Sequence, residues 1–376
     1  MNRSVVLLLA FLAGCGVTNP GPGAANRTAA SSMRARRQAG GSTFVILNQH
    51  HRVYKALAVT TASGDCVQVT DSTDITIEAS QIGPCGGNGI NVNGGGSVRI
   101  LDSYIHPETQ SPGCCDHNDG VLLQNTREAT VRGNVIAYGE SNVEAPEATT
   151  GITVAGNFLL NPRGPFPRGQ NVQTWNTANV VVSDNYTLSS TDTKRYLYPD
   201  AQEDSINFGE GTTFLASDNF VTGGHSKSGC GIIADDGANA VRFSANRLVD
   251  SGQCGIGIAS GTNQVVEGNK IINRTPVRGA GNTALYVWSQ YQGVACGPVT
   301  VAHDIATEIR ADGSQSGYWD GGGCDPVTLS HDTWNAAAER LLTPVAKKLP
   351  PPLIPPEPAH CVIESPYSTQ TKWPAC

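Results

Sequence analysis

Residues 256–269 read Ile-Gly-Ile-Ala-Ser-Gly-Thr-Asn-Gln-Val-Val-Glu-Gly-Asn. An apolar residue, Ile256, opens a short alternating segment, and 13 residues later Asn269 opens a second turn. The same interval of 13 separates Val67 from Ser80, Ile90 from Ser103, Val121 from Asn134, Val172 from Asn185 and Ile206 from Asn219. Val143 to Asn157 and Ile232 to Asn246 carry one extra residue. Apolar side chains alternate around each marker, as with Ile152 and Val154 before Asn157 and Leu159 after it. Alternation over a few residues means strands with one buried face. A constant interval with variable lengths elsewhere means stacked coils whose insertions fall at one corner. Leu285 and Trp319 open two further, more irregular coils.

The polar column Asn134, Asn157, Asn185, Asn219, Asn246 and Asn269 reads as structural. Asparagine tolerates a left-handed turn, and stacked amides hydrogen-bond from coil to coil. This ladder is similar to that of pectate lyases, polygalacturonases and related proteins over roughly residues 60 to 335. The resemblance implies an all-β fold, a single-stranded right-handed parallel β-helix of about ten coils. It implies little about the reaction, because that fold hosts lyases, hydrolases, epimerases and adhesins.

The chain has 376 residues, 43 of them glycine, and only 15% are charged. A net charge of -7 argues against a nucleic-acid partner, which would require clustered Lys and Arg. Arg3, the apolar run Val5 to Leu12 and then Leu12-Ala13-Gly14-Cys15 read as an export signal. The run is too short to span a bilayer. Leu-Ala-Gly-Cys resembles the lipobox of bacterial lipoproteins, which implies lipidation at Cys15 and a cell-envelope location; the alternative is ordinary secretion. The expected organisation is a signal over 1–15, a disordered tether over 16–42, the β-helix over 43–338 and a Pro-rich tail over 339–376. The expected state is a monomer that meets a membrane only through its lipid.

Setting Cys15 aside leaves ten cysteines, an even count that favours disulfides in an exported chain. Cys230 and Cys254 each stand two residues before a strand-opening isoleucine. Stacking places them about 4.8 Å apart, within reach of a bridge. Cys296–Cys324 and Cys361–Cys376 come next, and Cys66, Cys85, Cys114 and Cys115 should pair near the first coils.

The first strand of each coil should contribute outward residues to one continuous strip. Counting one or three past each anchor gives Asn91, Gln124, Glu144, Gln173, Trp175, Asn207, Tyr286 and Trp288 as substrate-binding candidates. Amides, an acid and aromatic faces suit a hydroxyl-rich polysaccharide, and exposed tryptophan is uncommon without a use. The long insertions precede these strands and rise along one edge of the strip, where catalytic groups usually lie. Although the chain is acidic, its rim is rich in cations, histidines and tyrosines.

Asp116-His117-Asn118-Asp119-Gly120 is similar to the Asn-Thr-Asp-Gly of polygalacturonases and, more loosely, to the Asp-Pro-His-Asp of alginate epimerases. Glu203-Asp204 resembles the polygalacturonase Asp-Asp, and Gly224-His225-Ser226 that family's Gly-His-Gly with its last glycine replaced. No Arg-Ile-Lys completes the set. Asp119 and Asp204 should also lie three coils or roughly 14 Å apart, wider than paired glycosidase carboxylates. The leading expectation is a lyase, or else an epimerase, on acidic polysaccharide. Arg168 and Lys227 would neutralise the sugar carboxylate, and His117, His225 or Tyr198 would take the proton. Asp119, Glu203 and Asp204 would orient these groups or hold calcium. A glycoside hydrolase using Glu210 with Asp235 or Asp236 is the first alternative, and a non-catalytic binding lipoprotein the second.

Overall fold

A computed structural model describes residues 41–107, 118–164, 167–189, 202–224 and 226–335, with the backbone of 31–34. Cys15, Cys114, Cys115, His117, Tyr198, His225, Cys361 and Cys376 lie outside the described residues. All named elements are strands. Among the described residues no helix is long and apolar enough to cross a membrane.

The strand-opening residues stack in one parallel column. From the first coil it runs Phe44, Val67, Ile90, Val121, Val143, Val172, Ile206, Ile232, Ile256, Leu285 and Tyr318. That makes eleven coils among the described residues, close to the expected ten, and we number them from Phe44. A second sheet stacks Ile77, Ile100, Val131, Val154, Val182, Ala216, Phe243, Val266 and Val301. A third stacks Ile82, Ile105, Ile136 and Leu159, and later Val221, Leu248, Ile271 and Ala306. These columns meet inside the solenoid as one aliphatic core, extended by the stacked rings of Phe208, Phe214 and Phe243. Each coil buries its apolar side chains only by lying on its neighbours. Stability is therefore a property of the stack.

The polar column is a hydrogen-bonded ladder. Each backbone N–H of Asn134, Asn157, Asn185, Asn219 and Asn246 donates to the side-chain oxygen of the next ladder residue, at 2.9 to 3.1 Å. Ser80 and Ser103 extend it towards the first coil, and Asp304 receives Asn269 at the other end. The left-handed residue, however, is the one before each rung: Gly133, Gly156, Asp184, Asp218, Ala245 and Gly268. Asparagine is required here for its two-sided amide, and its neighbour makes the turn.

Cys230–Cys254 and Cys296–Cys324 are bonded, with Cα separations of 4.6 and 4.4 Å, and Cys66 pairs with Cys85. Closing the 24-residue separation of the first contributes about 3 kcal/mol on a chain-entropy reckoning. Ser31–Arg34, expected inside a disordered tether, instead pairs in parallel with Arg52–Lys55. It covers the open edge of the second sheet, where unpaired backbone groups would otherwise face solvent.

Several buried acids set a pH dependence. Burial raises Asp304 from 3.8 to about 7 and Glu308 from 4.5 to about 8. The folded chain thus keeps protons that the unfolded chain has released, so unfolding is favoured as pH rises from about 4 to about 8. Urea-unfolding midpoints should fall steadily across that window and then level off. A flat or rising profile would show that these carboxyls titrate normally in the fold.

Candidate functional site

Outward residues of the first sheet stand one or three past each core anchor. Glu144, Gln173 and Asn207 are direct register partners on coils 5, 6 and 7. Together with Gln124, Trp175 and Asp235 they line one groove of about 600 Å³, joined by Arg168 and Glu203 from the segments that precede the strands. Strand register therefore brings Gln124, Gln173 and Asn207 to one side of the solenoid. The Val172–Ser183 and Ile206–Ser217 strands run unbroken from the first sheet into the second, which makes the groove floor rigid. The Trp175 indole lies over Gly209, where an added Cβ would come within 2.7 Å of the ring. Glycine on coil 7 lets the indole lie flat.

Three acids gather at the coil 7–8 end. Asn207 Nδ2 donates to Asp204 Oδ2 at 2.8 Å and to Asp235 Oδ2 at 3.2 Å. Those two bonds gather the Asp204 and Asp235 oxygens around one amide, no more than about 6 Å apart. Tyr291 Oη donates to the other Asp235 oxygen at 2.5 Å. Asp235 therefore accepts on both oxygens. Asp204 accepts the Cys230 N–H at 2.6 Å and is 3% exposed. Burial, then the charges of Glu203 and Asp235, push its pKa well up.

Glu203 opens onto the groove beside them. Burial first, and next the charge of Asp235, raise it from 4.5 to about 7; Arg168 and a 3.3 Å hydrogen bond from Gln170 Nε2 oppose the shift. A carboxyl that still holds its proton near neutrality is equipped for general acid catalysis. Further along, Arg168 Nη2 sits 3.4 Å from Glu144 Oε1. Among the described residues, its Nε, Gln173 Oε1 and Asn207 Oδ1 have no hydrogen-bond partner. Buried polar atoms without partners are rare, so a donor and two acceptors in one groove point to a polar ligand.

Other expected site residues fall elsewhere. Lys227 is exposed and does not line the groove. Asn91 donates to Asp65 on coil 2 and lies beyond the groove's end. Tyr286 is only 7% exposed, while Trp288, at 38%, pairs edge-on with Trp319 and does not line the groove. Glu210 occupies a left-handed corner, and neither it nor Asp236 lines the groove; of the alternative acid set only Asp235 does.

The metal expectation also fails to assemble. Among the described residues no group of three or more His, Cys, Asp or Glu side chains is arranged to hold an ion. Asp119 lies three coils from Asp204, fully buried, with Oδ1 accepting the Ser141 N–H at 2.9 Å. Burial and then Glu144 raise its pKa well above the ordinary range. Both oxygens of Asp204 are engaged by hydrogen bonds within the protein. Tyr291 is the site residue the sequence did not single out, since it stands in an insertion without strand periodicity.

A family model described as a right-handed beta helix region matches residues 44–185. No curated protein matches the sequence. Among solved structures, the Dettilon tailspike protein aligns at TM-score 0.56 and 13% identity over 77% of this chain. This chain spans 60% of the tailspike's length. DFA-IIIase from Arthrobacter chlorophenolicus aligns at TM-score 0.56 and 12% identity, over 77% of this chain and 80% of that one. A mannuronic acid specific polysaccharide family 6 lyase from human gut microbiota aligns at TM-score 0.50 and 12% identity, over 80% and 79%. Taken with the strand register, these matches establish the fold as an all-β, single-stranded, right-handed parallel β-helix.

Proposed function

We propose that this chain is an exported, carbohydrate-active protein that hydrolyses glycosidic bonds of a glycan lying in the groove. The observation that carries the reading is the pairing of Glu203 with Asp235 in one groove: a carboxyl held near pKa 7 beside a doubly hydrogen-bonded carboxylate. Glu203 would protonate the departing glycosidic oxygen. Asp235 would stabilise or attack the sugar carbon from which it leaves, or activate water against it. Trp175 offers a flat apolar face to a sugar ring, and the Gln173 and Asn207 oxygens, without a partner among the described residues, would accept sugar hydroxyls.

Charge favours a neutral glycan. Among the described residues the groove sets one cation, Arg168, against the acids Glu144, Glu147 and Asp235, without counting the protonated Glu203, and Arg168 already faces Glu144. A polyuronate would meet net repulsion there. One observation favours the second reading, β-elimination on an acidic polysaccharide: among the described residues nothing partners Arg168 Nε, which leaves it available to a uronate. Incubation with a panel of neutral and uronic-acid polymers separates the two. Hydrolysis releases reducing ends without new ultraviolet absorbance. Absorbance from unsaturated ends on a uronate would replace this reading with the second, and binding without turnover would remove both.

A further inference from the structure

Beyond the reaction class, we propose that the groove accepts the end of a glycan chain, because two tyrosines close it at coil 8. The inference rests on the hydrolytic reading above and concerns where along a polymer that reaction takes place.

The groove runs over coils 4 to 8 and ends at Asp235; beyond it the outward positions of the first sheet are filled by hydrophobic side chains. Ile233, Ala259 and Tyr286 occupy outward positions on coils 8, 9 and 10, yet are 5%, 0% and 7% exposed. Two rings cover this stretch. Tyr286 lies back over Gly257, where an added Cβ would fall 2.7 Å from Cζ and 2.8 Å from Oη. Tyr291 packs against the same patch, and its hydroxyl reaches Asp235 at 2.5 Å.

Tyr291 belongs to a strap, residues 289–295, that is tied down along its length. Ser289 N donates to Gly322 O at 3.0 Å and Gln290 N to Ala259 O at 2.8 Å, while Ala295 O accepts Gly261 N–H at 2.8 Å. The Cys296–Cys324 disulfide fixes its root. A wall so anchored does not yield to a polymer threading past. At the other end, the lining continues to Gln124 and the exposed Asn125, and no described residue closes it. A chain following the sheet therefore stops against Tyr291, with its terminal units beside Glu203 and Asp235. Cleavage there is confined to chain ends.

The test uses the full-length protein and whichever polymer of the panel it cleaves. Products of one small size from the first turnovers, with viscosity largely preserved, are expected. A broad ladder with early collapse of viscosity overturns the inference while leaving hydrolysis standing. Turnover of no polymer sinks the hydrolytic reading, and this inference with it. Tyr291→Ala opens the wall and should raise the share of longer products by about tenfold or more. Tyr291→Phe keeps the ring and should keep the single product. If the alanine variant fails to fold, oligosaccharides bearing a bulky fluorophore at one terminus decide the matter. A label at the walled end should weaken binding by roughly tenfold or more, and a label at the other end should not. Equal tolerance of both labels overturns the inference.

Discussion

Replacing Glu203 with glutamine should lower kcat on natural glycosidic bonds by roughly 10²–10⁴-fold, the usual contribution of a positioned acid. Glutamine keeps the length of the side chain and an oxygen for the Gln170 Nε2 hydrogen bond, so the groove retains its shape. What it loses is a transferable proton. Two further readouts separate that loss from a packing defect. Wild-type activity should fall as pH rises through about 7, where Glu203 gives up its proton, and this limb should vanish in Glu203→Gln. An aryl glycoside, whose leaving group needs no protonation, should recover most of the lost rate in Glu203→Gln. It should recover none in Asp235→Asn, where the opposing carboxylate is missing. Full activity in Glu203→Gln with an unchanged alkaline limb would remove Glu203 from the chemistry.

The sequence was informative wherever stacking imposes a period. An inward apolar residue recurring with the coil must meet its counterpart above and below, so strand register followed from counting. That register placed Glu144, Gln173 and Asn207 in a single row. The cysteines were legible for the same reason, because Cys230 and Cys254 keep a constant offset from their isoleucines. The turn itself was misattributed: the left-handed backbone belongs to residues such as Asp218 and Gly268, one before the ladder.

Site chemistry was less legible because it depends on insertions and on approach distances. Tyr291 reaches Asp235 across 56 residues, through a strap with no periodic position. Asp235 itself was visible as an acid on an outward position, but its pairing with Asp204 depends on the reach of the Asn207 amide. Tyr286 occupied the expected row, yet Gly257 lets its ring fold down over coil 9, turning an anticipated sugar platform into part of a wall. Counting identifies a row. It does not say which side chains in that row lie down and which stand up.

The ladder makes the largest stability prediction. Asn219 Oδ1 accepts from the Asn185 N–H at 3.1 Å and from Asn185 Nδ2 at 3.0 Å, while its own Nδ2 donates to Val182 O and to Asn246 Oδ1 at 2.9 and 3.0 Å. The side chain is 1% exposed, so water cannot take its place. Asn185 Nδ2 keeps Val154 O, and Asn246 Oδ1 keeps the Asn219 N–H. Asn219→Ala therefore isolates chiefly the Asn185 N–H and weakens Val182 O, a cost of about 2–5 kcal/mol at typical penalties for buried unsatisfied groups. Asn219→Ser should recover part of it, since the Ser103 hydroxyl accepts the Ser80 N–H at 3.1 Å in the same role. Thr300→Ala, on an exposed outward position of the second sheet, serves as the control and should cost under about 0.5 kcal/mol. Equilibrium unfolding in urea gives all three values. If Asn219→Ala costs no more than the control, the stacked amides are a consequence of the coil register and contribute nothing to holding it. In that case the fixed spacing of the groove residues on coils 5 to 8 must come from the backbone pairing of their strands and from the aliphatic columns.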